Sequence, residues 1–231
     1  MSVCIIAATD LESTFLCREL KCSSGQPMLG FRLFHAVRKG RDVDIIVSGP
    51  GIANAAAASA LALTHLRPGR LYNVGVCGVH SDDSALLAGV VVGTAAVFAD
   101  AGVDSDSAFV PLEAADLPLA PERAGHQRDN TIALDDGPAS PLAARGVFAT
   151  VSASSGDPSR ARRIRTRCRV AEGLLLCEDM ESAAVGLMAC RASVPCTVLR
   201  AISNLCGQSD HAHWKLKPAA AAAQEELLRL L

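Results

Sequence analysis

Short runs of Val, Ile, Leu and Ala recur along the chain at strand length. They are VCIIAA (3–8), DVDIIV (42–47), LYNVGV (71–76), VVVGTAAVF (90–98), GVFATV (146–151), LLLC (174–177) and TVLRAI (197–202). Segments of helical composition lie between most of them, such as IANAAAASALAL and MESAAVGLMAC. Near-continuous apolar runs mark strands covered on both faces, which requires helices on both sides. FRLFHAV and DVDIIVSG flank the turn RKGR, so one hairpin interrupts the alternation. The pattern predicts an α/β sandwich around a mixed sheet.

At 231 residues the chain fits one large domain, 1–231. Residues 104–146 change character, with clusters such as DSDS, PLAPER and LDDGPASP. They read as an excursion from that domain, because strand signals resume at GVFATVSA. Aromatic residues make up only 3%, so the core must be built from Ala, Val, Leu and Ile. A net charge of −2 gives no electrostatic reason to expect nucleic acid or an anionic membrane as partner.

The nine cysteines are odd in number, form no CxxC and sit largely in apolar runs. That usage predicts free thiols in a reducing cytoplasm. The N-terminal MSVCIIAATD has no basic segment before its apolar run, so it does not read as a signal peptide. No apolar run approaches the ~20 residues of a membrane-spanning helix.

Several residues carry chemistry, each beside a plainer reading. The loop SGPGIANAA follows a strand and opens a helix. Gly49 and Gly51 would let backbone amides meet an anion there, although Asn54 stands where a dinucleotide fingerprint needs Gly. Thr9 and Glu12 have capping-box spacing; Glu12 also falls at the carboxyl end of the first strand, where α/β sheets bind ligands. In CEDMESAAVGLMAC, Glu178 and Asp179 can be read as complementing a helix dipole. Glu181 fits that account less well, because the helix after it is apolar all round and therefore buried. A buried carboxylate needs partners, and a ligand with two hydroxyls would supply them.

Six arginines in SRARRIRTRCR read as a solvated helix face. His211 and His213 lack a completing set of ligands, so no metal site is predicted. TVLRAISN places Arg200 inside a buried strand that ends on Ser203 and Asn204.

Taken together, IIAATDLES, SGPGIANAA, NVGVCGV, VVVGTAAVFADAGVD, CEDMESAAV and LRAISN resemble the nucleoside phosphorylase and nucleosidase family. They occur in the family's order and cover most of the chain outside 104–146. The resemblance implies a three-layer α/β/α sandwich of nucleoside phosphorylase type, a small-molecule nucleoside and water as reactants, no cofactor, and a homodimer or larger assembly.

The resemblance also implies roles. Glu12 would activate water, and Arg200 would place the water and orient the carboxylates. Glu181, beside Met180, would hold the ribose hydroxyls. Asn204 stands where the family's nucleosidases carry an acid facing N7 of the base. Trp214 would lie beside the ribose and its 5′ substituent. Cys77 and Gly78 would bind the substrate, with Ser154 in backbone contact with the base. Val76 and Cys77 replace the nucleosidases' Ser-Ala pair, and VSASSGD offers no match for their stacking aromatic. Nucleosidases acting on methylthioadenosine and adenosylhomocysteine end this strand as RAISD. RAISN, VFADAGVD and HAHW look most like the futalosine-cleaving branch, which releases hypoxanthine on a route to menaquinone. An adenine-releasing nucleosidase, a phosphorylase and a non-catalytic nucleoside binder remain the alternatives.

Overall fold

The computed structural model describes residues 2–105, 108–115, 119, 130–137 and 143–231. In chain order its strands are β1 (Val3–Ala7), β2 (Ser23–Ser24), β3 (Arg32–Arg38), β4 (Arg41–Val47), β5 (Arg70–Val79) and β6 (Val90–Phe98). They continue with β7 (Gly102–Asp104), β8 (Phe109–Pro111), β9 (Thr131–Ala133), β10 (Ala144–Thr150), β11 (Leu175–Asp179) and β12 (Cys196–Leu205). The helices are α1 (Thr14–Glu19), α2 (Ile52–Leu61), α3 (Pro158–Arg167), α4 (Ser182–Ala192) and α5 (Leu216–Leu230).

The main sheet has the order β11-β10-β6-β12-β5-β1-β4-β3-β2, and β9 adds to β6. It is mixed, as the sequence predicts. β4, β1, β5 and β12 run parallel in adjacent positions, whereas β3 pairs antiparallel with β4 and β12 with β6. One feature was not expected. β11 returns to pair antiparallel with β5 through Cys177↔Val79 and Glu178↔Gly78. The strands β5, β12, β6, β10 and β11 therefore close on themselves.

Alternation along the strands divides the core into layers. Cys4, Ile6, Ile46 and Val198 pack with α2 and α4, while Ile5, Ile45 and Leu199 pack with α1 and α5. Alanines carry the α2 and α4 contacts: Ala55 and Ala58 on one side, Ala183, Ala184 and Ala189 on the other. Small side chains let these helices lie close to the sheet, which explains how so few aromatics suffice. α3 covers β10 and β11 through Ile164, and Arg162, Arg163 and Arg165 face solvent.

Local differences from the sequence reading have physical causes. LESTFLCREL is not one helix: a single 3-10 turn, Asp10–Glu12, precedes α1, with Ser13 between them. β11 runs through Asp179 and α4 begins only at Ser182, so Glu178 and Asp179 are strand residues, not dipole-complementing helix residues. Part of the 104–146 excursion rejoins the sheet as β9, and Asp135 forms a 2.9 Å ion pair with Arg70. The rest of it, including most of PLAPER, lies outside the described residues. Among the described residues no helix is long and apolar enough to cross a membrane.

Candidate active site

Because β1, β4, β5 and β12 are parallel, their carboxyl ends share one edge of the sheet, the usual position for a ligand in an α/β fold. A cavity opens there, lined by Glu12, Cys77, Gly78, Ser154, Met180, Glu181, Arg200, Asn204 and Trp214. They include every residue to which the family resemblance assigns a role. Among the described residues, Trp214 is the only aromatic that lines the cavity.

Glu12 is buried at the turn after β1. One carboxylate oxygen accepts from Thr9 N at 3.0 Å and Thr9 Oγ1 at 2.8 Å, and the other accepts from Val76 N at 2.9 Å. The local cap and the cavity-facing carboxylate are thus the same group. The bond from Val76 N ties Glu12 to β5.

Arg200 is 1% exposed and links the remaining polar groups. Its guanidinium lies 2.8 Å from Asp179 and 3.0 Å from Glu181. It donates to Asn73 Oδ1 at 2.7 Å, to Val76 O at 2.9 Å and to Ser182 Oγ at 3.1 Å. Burial opposes its charge, but Asp179, Glu181 and Glu12 outweigh burial and raise its pKa. Asp179 also accepts from Thr150 Oγ1 at 2.7 Å and from the Ser182 hydroxyl.

Glu181 sits at the N-cap of α4, but its side chain turns away from the helix. One oxygen meets Arg200, and the other accepts from Gly51 N at 2.8 Å. The anion at the glycine loop is therefore this carboxylate. Gly49 and Gly51 hold φ values of +80° and +97°, which glycine adopts without strain. Burial raises the pKa of Glu181, with Arg200 pulling against it.

Asn204 reaches the cavity through a bulge. The β12–β5 register runs Ile202↔Cys77 and then Asn204↔Gly78, leaving Ser203 unpaired. A bulge re-aims the side chains beside it. Asn204 Oδ1 accepts from Ser203 Oγ at 2.8 Å, and its NH₂ lies 3.3 Å from Leu205 O. The carbonyl of Leu205 fixes which terminal atom is the amide nitrogen. Trp214 follows the turn His211–His213 and stacks on His211 at 4.3 Å between ring centroids, and His213 pairs with Asp210 at 3.0 Å.

Sequence reading missed the residues that hold these groups. Asn73 is fully buried; it donates to Ile6 O at 3.0 Å and accepts from Arg200. Thr150 anchors Asp179. Both are polar residues inside apolar runs, and that interruption was the available signal. Glu178 is buried and lines the cavity too. Among the described residues, the donor atoms of His80, Glu178 and Cys206 lie within 4.8 Å of one another. Ser155 donates to both Glu178 oxygens, from its N–H at 2.6 Å and from its hydroxyl at 2.7 Å.

Gly75 shows how closely the site is built. A Cβ there would overlap Glu12 Oε1 and come within 2.9 Å of Arg200 Nη1. Gly75→Ala should displace the Glu12 carboxylate, cutting kcat at least tenfold and costing about 1–3 kcal/mol of stability. Steady-state kinetics alongside a urea titration separates the two effects.

The chain can be set beside known proteins on this geometry. It matches the Phosphorylase superfamily over residues 2–231. It is 26% identical to a 5'-methylthioadenosine/S-adenosylhomocysteine nucleosidase of Bacillus licheniformis over 239 residues, covering 100% of this chain and 98% of the relative. The nucleosidase of Bacillus velezensis is 28% identical, covering 99% and 96%. Among solved structures, a 5'-methylthioadenosine/S-adenosylhomocysteine nucleosidase from S. pneumoniae with a transition-state inhibitor aligns with a TM-score of 0.78 at 20% identity, covering 99% of this chain and 97% of that one. A futalosine hydrolase mutant of Helicobacter pylori aligns with a TM-score of 0.78 at 17% identity, covering 100% of both chains. With the family match spanning residues 2–231, the chain belongs to the phosphorylase superfamily.

Proposed function

We propose that the protein is a hydrolase that cleaves the N-glycosidic bond of a 6-oxopurine nucleoside, with futalosine as substrate and hypoxanthine as leaving base. Cleavage of such a bond passes through an oxocarbenium-like state. Glu12 takes a proton from the attacking water. Glu181 holds the ribose hydroxyls; Arg200 pairs with Glu181 and also donates to the carbonyl of Val76, whose N–H holds Glu12. Glu12 also bears on the choice of nucleophile. A phosphorylase must seat a phosphate dianion below the ribose, where this buried carboxylate would repel it. A protein that only binds nucleosides has no use for both Glu12 and Glu181.

The observation that carries the choice of base is Asn204 on the cavity wall. A 6-oxopurine presents N7 beside O6, two acceptors. The Asn204 NH₂ can donate to O6 while Oδ1 accepts from a protonated N7. An acid in this place suits a 6-amino group instead. We therefore expect Asn204→Asp to lose about 10–100-fold in kcat/KM on the 6-oxo nucleoside, the cost of leaving one buried polar group unpaired. Its preference should move toward 6-amino substrates. An unchanged ratio of the two specificity constants would mean that Asn204 does not read the base.

The second reading, an adenine-releasing nucleosidase, is favoured by the curated relatives, which are named for methylthioadenosine and adenosylhomocysteine. The tail of futalosine gives a separate test. Trp214 borders the cavity and adjoins a second hollow lined by Lys215 and His213. Futalosine carries a benzoate-bearing tail at the 5′ carbon, and its carboxylate calls for a basic group, from the RKGR turn or from residues 104–146; the RKGR turn lies at the far end of β4 from the glycine loop, about 20 Å away. Lys215, on the wall of the second hollow, is the nearer candidate within one chain. Trp214→Ala should raise KM for the tailed nucleoside several-fold while leaving KM for inosine nearly unchanged.

A further inference from the structure

β11 and β12 approach β5 from opposite sides and meet it at the same residue. Glu178 pairs with Gly78 across the antiparallel β11–β5 contact, and Asn204 pairs with Gly78 across the parallel β12–β5 contact. Residues directly opposite in a ladder project to the same face. Neighbouring strands lie about 4.8 Å apart, so the two flanking backbones stand about 10 Å apart, room for the edge of a purine ring. Gly78 puts no side chain between them; a Cβ there would come within 3.1 Å of Asn204 Nδ2 and 2.8 Å of Cys206 Sγ. Both Asn204 and Glu178 line the cavity.

Glu178 brings a fixed acceptor to this slot. It is 5% exposed. Its oxygens accept from Ser155 N at 2.6 Å and Ser155 Oγ at 2.7 Å, and His80 Nε2 lies 3.3 Å away. Burial alone would raise its pKa, but His80 and the two bonds from Ser155 outweigh burial and lower it. The group is ionised at neutral pH, so it has no proton to donate, and its lone-pair sites exceed the bonds it now accepts.

We infer that Glu178 is a second reader of the base, accepting the N1–H of a 6-oxopurine whose N7 and O6 face Asn204. This rests on the proposed assignment of the cavity to a purine nucleoside with its base at the Asn204 end. The chemistry is selective at one atom. A 6-oxopurine carries a hydrogen on N1, whereas a 6-aminopurine presents N1 as a bare acceptor. An ionised carboxylate opposite N1 attracts the first and repels the second. Asn204 and Glu178 would then examine adjacent positions on one edge of the ring. The closure of β11 onto β5 is what brings the two together.

The test uses free bases as inhibitors, which removes the sugar and its tail from the comparison. Inhibition constants for hypoxanthine, 1-methylhypoxanthine and adenine are measured on the wild type and on Glu178→Gln. The expected wild-type result is hypoxanthine binding at least about tenfold tighter than both others, the loss of one hydrogen bond to a buried charge. Glu178→Gln, whose NH₂ can donate to the bare N1 of adenine, should lose most of the preference for hypoxanthine over adenine. Equal wild-type binding of hypoxanthine and 1-methylhypoxanthine overturns the inference without any variant, so it stands or falls even if the variant does not fold. Hypoxanthine preferred over adenine, with the ratio unchanged in Glu178→Gln, also overturns it and leaves the proposed function in place. Adenine preferred by the wild type sinks the 6-oxopurine reading itself.

Discussion

Glu12→Gln should lower kcat by about 10²–10⁴-fold, the usual contribution of a positioned general base, while substrate still binds. Gln has nearly the shape of Glu, and one of its terminal atoms can still accept from Val76 N or from Thr9. The local turn is therefore kept. What is lost is the negative charge and the ability to take a proton from water. Both matter in the transition state more than in the ground state, so the loss falls on kcat and leaves KM largely in place. Single-turnover kinetics with a separate equilibrium binding measurement makes the split visible. A variant that turns over at the wild-type rate would remove Glu12 from the chemistry; one that fails to bind would make it a binding residue.

Arg200→Met should be the most destabilising single change in the site, by about 3–5 kcal/mol. The substitution removes a buried cation from Asp179 at 2.8 Å and Glu181 at 3.0 Å and leaves both carboxylates without it. Asn73 Oδ1 and Val76 O lose a donor as well. The penalty should depend on pH. Burial already raises the pKa of Glu181, and Arg200 opposes the rise. A carboxyl whose pKa is higher folded than unfolded favours the folded state below its ordinary range, and that contribution is lost as pH rises through the folded value. Without Arg200 the folded value climbs further, so the variant should recover part of its deficit in acid. Urea unfolding of wild type and variant at pH 5.5 and pH 8 checks this. A deficit below 1 kcal/mol, or one equal at both values, would argue against a strongly coupled buried network. Adding Asp179→Asn should restore part of the loss at pH 8.

The sequence disclosed the layers because they rest on local signals, whereas most of the cavity wall was legible only through the resemblance of its motifs to the family. Apolar runs mark β1, β4, β5 and β12, and parallel strands place their carboxyl ends together. Glu181 was expected to be buried and to need partners; it has Arg200 and the Gly51 amide. Other features depend on pairing between distant segments. Nothing in LLLCED says that β11 will return to β5, so the meeting of Glu178 and Asn204 at Gly78 could not be read. Asp179 stands next to a helix start in sequence, and a dipole role was the natural reading. Only the fold puts it against Arg200. The bulge at Ser203 is a single unpaired residue in an otherwise regular ladder, without a Gly or Pro to announce it. Asn73 and Thr150 were visible as polar interruptions, but their partners lie 127 and 29 residues away in the chain.

The most direct test of the account is to incubate the purified protein with futalosine and with its 6-amino relative, with and without phosphate, and to identify both halves of the product. The expected result is hypoxanthine and a free sugar from futalosine, at a rate that phosphate does not increase and that exceeds the rate on the 6-amino compound. A sugar 1-phosphate, or faster release of adenine than of hypoxanthine, would contradict it.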